Sequence, residues 1–364
     1  MLKPIVQPLC GGALNACRRL QAQLLAWLCD PNTQAASLTQ ANLPAPTLIE
    51  RDWLWAFLQK ADDRRPLLER AQVLVAMSAA EKAALLAWGQ TVTALAAQFQ
   101  PNPPAWPVQE PNIAPDAWRA FKELMEAFYE KGLQAGLPYT ADGTPVTQGG
   151  VTYADFVQAF RDAHRLNHDP NAREVCVLCG GPLGAAPEVD HWIAKHAFPL
   201  LSVCADNLLP ICGECNATSN KGRRPVHDHG SFQDWFHPYF RPGAGAIRLG
   251  YRLQDFAVTC AAVNPADAAR VRNLDGLLNL SRRWTRELKA EYANQQGKLK
   301  RYEAQRLSRG QARHTQAEVE AFAASFRDGL LESEPNHEMH RLLGDALLEQ
   351  ARLAAWQTEL GLLT

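Results

Sequence analysis

Charge of one sign is what this chain most plainly lacks. Its 37 Lys and Arg residues balance 38 Asp and Glu to a formal net charge of −1. A global basic excess of the kind that coats nucleic acid is excluded, so any nucleic-acid surface has to be a local patch. No run of about 20 apolar residues is free of polar interruption, which excludes an expected membrane-spanning helix. The opening MLKPIVQPLCGG has one lysine, two prolines and no continuous apolar stretch, a poor secretory signal. There is no internal repeat and no low-complexity tract. The nine cysteines are odd in number, and Cys10, Cys17, Cys29, Cys204 and Cys260 are scattered, unlike a secreted disulfide framework. The cytoplasm is the expected compartment, where reduced thiolates favour metal over disulfide.

What remains is a long, mostly helical chain. Its 364 residues allow two or three domains. Residues 1–100 read as a helical N-terminal domain, rich in Ala and Leu, with Trp27, Trp53, Trp55 and Trp88 expected in its packing. Ser78 to Glu81 is a capping box ahead of an apolar run. Residues 101–115, with Gln100 just before, hold six prolines and read as an extended linker. Residues 116–172 read as a helical lead-in. Asp116 caps a helix whose stripe is Trp118, Phe121, Met125 and Phe128, and Thr152 opens another. His164 and His168 carry no partner motif and read as structural or surface residues. Residues 242–364 read as a helical C-terminal region, with a second capping box at Thr315 to Glu318 and Pro335 in the first turn of the last helix. Between Arg282 and Arg309 stand nine basic residues against three acidic ones. That is either a solvated helix face or a second track for phosphates.

Chemistry concentrates in 173–241. Two Cys-x-x-Cys pairs, Cys176/Cys179 and Cys212/Cys215, place four sulfurs on two tight knuckles, the donor set of a closed structural Zn²⁺ site. The 32 residues between Cys179 and Cys212 exceed what a plain zinc ribbon needs. They contain Asp190-His191 and Asp206-Asn207, and Asn216 directly follows the last cysteine. Glu188 to Trp192 reads as a strand, Asn207 to Ile211 as a second, and Gly213 to Lys221 as a helix.

In this order the residues resemble the HNH endonuclease family in its zinc-stapled form, over about residues 173–225. The resemblance implies a central ββα-metal module inserted in a mainly α chain, between helical N- and C-terminal regions. It implies that His191 is the general base, that Asn207 holds the loop, and that Asp190 and Asn216 hold a catalytic Mg²⁺ or Mn²⁺. Ala194 stands where the family often has proline. A neutral imidazole suits proton removal from water, and hard oxygen ligands suit Mg²⁺ or Mn²⁺ better than zinc. Lys195, Lys221, Arg223 and Arg224 are the expected phosphate contacts. His196 is expected to be structural or solvated, and His227, His229 and His237 to support the site or to pack the C-terminal part against it. The expected substrate is DNA, nicked or cut. Chains of this shape look like effectors of bacterial anti-phage or restriction systems that answer to a protein partner such as an ATPase. The alternatives are an RNA-directed nuclease, or a non-catalytic zinc module that binds nucleic acid or protein.

Overall fold

The computed structural model describes residues 3, 5–164, 174–185 and 187–362. His168 lies outside them. The described chain is mainly helical. The N-terminal part comprises α1 (Gly11–Leu28), α2 (Leu48–Leu58), a minimal ladder of β1 (Ala61–Asp62) with β2 (Arg65–Pro66), α3 (Leu67–Val75) and α4 (Ala79–Thr93). Then come α5 (Pro115–Ala127) and α6 (Tyr153–His164). The central part holds β3 (Glu188–His191), β4 (Leu208–Ile211) and the one-turn α7 (Gly213–Asn216). The C-terminal part holds the hairpin of β5 (Ile247–Tyr251) and β6 (Val258–Ala262), followed by α8 (Ala268–Leu278), α9 (Leu280–Ser308), α10 (Gln316–Asp328), α11 (His337–Leu347) and α12 (Gln350–Glu359).

Local chemistry accounts for most boundaries. Ser78 accepts from the Glu81 N–H while Glu81 reaches back to Ser78, and Thr315 and Glu318 repeat the exchange at α10. The α5 helix begins with Pro115 at its first turn, where a missing N–H costs nothing. Ala114, not Asp116, is therefore its cap residue, and Asp116 sits in the first turn. The stripe Trp118, Phe121, Met125 and Phe128 is fully inside. After Ala127 the helix widens into a π-helical turn, Phe128–Leu133. Other expected elements differ as well. The helix after the second knuckle stops at Asn216, and the β5–β6 hairpin occupies a stretch that reads as loop and helix. Likewise α11 starts after Asn336, beyond Pro335, and α12 follows it.

The helices pack directly on the central part. Trp88 lies edge-on to Trp118 and stacks with Phe198 at 6.0 Å, while Trp27, Trp53 and Trp55 are partly buried against the core. The proline-rich segment is extended, as its composition requires, and lies as a strap. Its Trp106 is buried between Phe198 and Phe232, at 5.0 and 5.2 Å. Glu81 accepts from the Ala114 N–H and ties the end of the strap to α4. No single described helix is long and apolar enough to cross a membrane.

Candidate metal centre and adjoining polar site

The four knuckle cysteines come together. All four sulfurs lie within 4.8 Å of one another and all four residues are buried. Cys176 to Cys215 spans 4.0 Å and Cys179 to Cys212 spans 3.8 Å, far too long for a disulfide. Four sulfurs about 2.3 Å from a tetrahedral ion stand about 3.8 Å apart, so the spacing fits Zn²⁺. Backbone amides turn toward the sulfurs. Gly181 N–H donates to Cys179 Sγ at 3.4 Å, Cys215 N–H to Cys212 Sγ at 3.4 Å, and Cys212 N–H to Cys176 Sγ at 3.5 Å. The first knuckle closes through Gly180 at φ +75°, a conformation that favours glycine. Burial and the neighbouring sulfurs push the Cys176 thiol up, while the neighbouring sulfurs pull those of Cys179 and Cys212 down; four thiolates buried this closely together require a cation among them.

Between the knuckles, β3 and β4 pair antiparallel, with Asp190 opposite Leu209 and His191 opposite Leu208. Adjacent strand residues point to opposite faces, so the Asp-His dipeptide does not aim both side chains at one point. His191 is 6 % exposed. Its Nε2 lies 2.8 Å from the Ser202 carbonyl, and the Tyr129 ring from the π-helical turn stands edge-on at 4.6 Å. A carbonyl oxygen only accepts, so Nε2 carries the proton and Nδ1 keeps its lone pair. Burial pushes the His191 pKa down to about 3, with Lys195 and Lys221 adding to the effect against the Ser202 hydrogen bond. Asn207 is fully buried and braces the intervening loop. Its Oδ1 accepts from Ile193 N–H at 2.7 Å, and its Nδ2 donates to Ile193 O at 2.9 Å and Leu201 O at 3.3 Å.

Asp190 is arranged differently from expectation. Lys221, with no exposed surface, places Nζ 2.7 Å from Asp190 Oδ2 and donates to His191 O at 2.7 Å. Burial raises the Asp190 pKa to about 6, with Lys221 pulling the other way. Asn216 donates to Glu188 Oε2 at 2.5 Å, not to Asp190. In this arrangement Asp190 Oδ2 faces an ammonium and Asn216 faces Glu188, so the two side chains expected to share a catalytic cation have separate partners. Glu188 is a polar site residue the sequence reading used only as part of a strand. It is exposed on the same strand face as Asp190.

The expected phosphate contacts divide. Lys221 is a buried structural cation and cannot reach a phosphate. Lys195 is held by Glu126 at 3.0 Å and by Glu130, both from the α5 region. Arg224 donates to the Gly276 and Leu277 carbonyls at 3.1 and 3.0 Å, which caps the end of α8. Arg223 is exposed. In the basic run, Arg283 and Arg286 meet Glu214, Lys300 meets Glu359, and Arg306 meets Glu318. His196 is partly buried near Arg223, and both burial and that charge lower its pKa. His164 accepts from Val6 N–H and donates to Phe160 O. His227 accepts from Gly230 N–H, and His229 is exposed. His237 is fully buried, with Nδ1 accepting from Tyr239 and Phe240 N–H.

Comparison with known proteins finds no matching family model, no matching curated protein and no matching solved structure.

Proposed function

We propose that residues 173–241 form an HNH-type endonuclease module that hydrolyses phosphodiester bonds in DNA, stapled by a structural Zn²⁺ on Cys176, Cys179, Cys212 and Cys215. The observation that carries this reading is the state of His191. Its imidazole is neutral, its tautomer is set by the Ser202 carbonyl, and Nδ1 has no hydrogen-bond partner among the described residues. A general base for water needs such a lone pair on a ring that cannot rotate. Asn207 supports it by fixing the loop that carries Ser202. A pKa near 3 keeps His191 unprotonated at cellular pH but makes it a weak base. An approaching phosphate favours the imidazolium and moves that pKa back up. Four sulfur ligands leave no open position, so the zinc would supply folding stability and no hydrolytic step.

The test is plasmid cleavage by purified protein with EDTA, Mg²⁺ or Mn²⁺, comparing wild type with His191→Ala, alongside zinc content and circular dichroism. The expected result is nicking or linearisation that falls at least about 100-fold in the variant while zinc and helicity are retained. Equal activity in both would reject His191 as the base. The dependence on added ion decides whether the Asp190–Lys221 pair opens to admit a cation. An RNA substrate panel separates DNA from RNA cleavage. A second reading, a zinc module that only binds nucleic acid or protein, is favoured by one observation: Asp190 is ion-paired and His191 is covered by Tyr129. It predicts binding without cleavage under every ion condition, with His191 dispensable and the cysteines required.

A further inference from the structure

The zinc reading assigns the centre four thiolates and one divalent ion, a net charge of −2 in a buried position. Burying such charge without a nearby cation is costly. Among the described residues, the one side-chain cation bonded to a cluster sulfur comes from outside the knuckles. Arg283, in the first turn of α9, donates through Nη1 to Cys215 Sγ at 3.3 Å and to Leu278 O at 3.2 Å. Its Nη2 meets Glu214 Oε2 at 3.1 Å, and Glu214 in turn receives Arg286 at 2.7 Å. The Arg283 side chain is only 10 % exposed.

We infer that Arg283 is the outer cation of the thiolate centre, tuning how tightly the four cysteines hold their metal and tying α9 to metal occupancy. The inference rests on the zinc reading above and not on nuclease activity. Geometry selects arginine. One planar fork bonds a sulfur, a carbonyl and a carboxylate together, which a lysine ammonium on a flexible stem does less well. The hydrogen bond to Cys215 withdraws charge from the sulfur and fixes its orientation, the role outer partners play around metal ligands generally. A cleft of about 440 Å³ lined by Cys179, Cys212, Glu214, Arg283 and Trp284 reaches this side of the centre, a route for chelator and for departing metal.

The test uses the full-length, zinc-loaded protein and reads zinc transfer to a chromogenic chelator at neutral pH, with circular dichroism as a check on folding. Arg283→Gln is expected to lose zinc about tenfold faster than wild type, with Arg283→Lys in between. A second reading uses cobalt-substituted protein. Removing the N–H···S bond raises the energy of the sulfur electrons and shifts the thiolate-to-cobalt band to lower energy. A residue that only packs α9 against the module would leave that band unmoved. If Arg283→Gln does not fold, the band in Arg283→Lys decides. Release rates and bands identical to wild type would overturn the inference. A wild-type protein that binds no zinc would overturn the four-thiolate reading, and with it this one.

Discussion

At the scale of single residues, the least expected feature is the cation beneath Asp190. A buried carboxylate left alone would give up its charge by taking a proton. Lys221 resists this from 2.7 Å while satisfying the His191 carbonyl as well. Removing one member of a buried ion pair strands the other, at a cost of about 3–5 kcal/mol. Lys221→Met is therefore expected to lower stability by about 3 kcal/mol in urea denaturation. Asp190→Asn combined with Lys221→Met should recover much of that loss, because no charge is then stranded. Additive losses in the double variant would show that the two side chains do not act as a pair. On the nuclease reading proposed above, cleavage retained in the double variant would show that the Asp190 carboxylate is dispensable to the chemistry.

At the scale of elements, the features legible in the sequence are those fixed by neighbours. The two knuckles, the capping boxes at Ser78 and Thr315, the apolar stripe of α5 and the two short strands β3 and β4 all follow from residues a few positions apart, or from a metal set with its own spacing rules. Features set by distant partners were not legible. Nothing near Arg283 in sequence announces Cys215, and nothing near Lys195 announces Glu126 and Glu130. The β5 strand alternates Ile247, Leu249 and Tyr251 with Arg248 and Gly250, a period-2 pattern too short to stand out beside the surrounding loop residues, and β6 packs against α8 and α9. The Lys195 contact carries a prediction that rests on the nuclease reading. Two carboxylates from the α5 region hold a lysine that a phosphate would otherwise meet. The double variant Glu126→Gln, Glu130→Gln should bind a short DNA duplex about 3–10-fold more tightly at low salt, with a steeper salt dependence. A control with the same charge change at exposed Glu320 and Glu332 separates local release of Lys195 from a general loss of negative charge. If both variants bind alike, Lys195 lies off the nucleic-acid path.

At the scale of the whole molecule, the strap of residues 101–115, the contact of α4 with Phe198 and the contact of α5 with the turn Pro199–Leu201 join the helical and central parts into a continuous core. Opening any part therefore exposes buried titratable groups, and stability should depend on pH in a calculable way. Burial first, and nearby Arg241 second, lowers the His237 pKa from 6.5 to about 3, and burial does the same for His191. Each is neutral in the folded protein but takes a proton when unfolded below 6.5. The unfolded chain then binds more protons, so each histidine removes about 1.4 kcal/mol of stability per pH unit as pH falls from 6.5 toward 3. Asp190 runs the other way. Its pKa is raised from 3.8 to about 6, so its contribution is present below 3.8 and lost as pH rises through 6. It offsets one histidine between about 6 and 3.8, so the net decline over that range is close to that of a single histidine and is shallowest near 6.5, where the unfolded histidines are only half protonated. Acid also protonates metal-bound thiolates, which destabilises in the same direction. His237 separates the two effects, because its partners are Tyr239 and Phe240 amides and aromatic rings rather than the cysteines. His237→Asn keeps an acceptor for those amides and has no proton to gain. Urea denaturation of the zinc-loaded protein across pH 4–6.5 should show a shallower decline in this variant, by about 1 kcal/mol per pH unit. Parallel slopes in the two proteins would mean that His237 is already charged when folded, or that metal loss governs the whole transition.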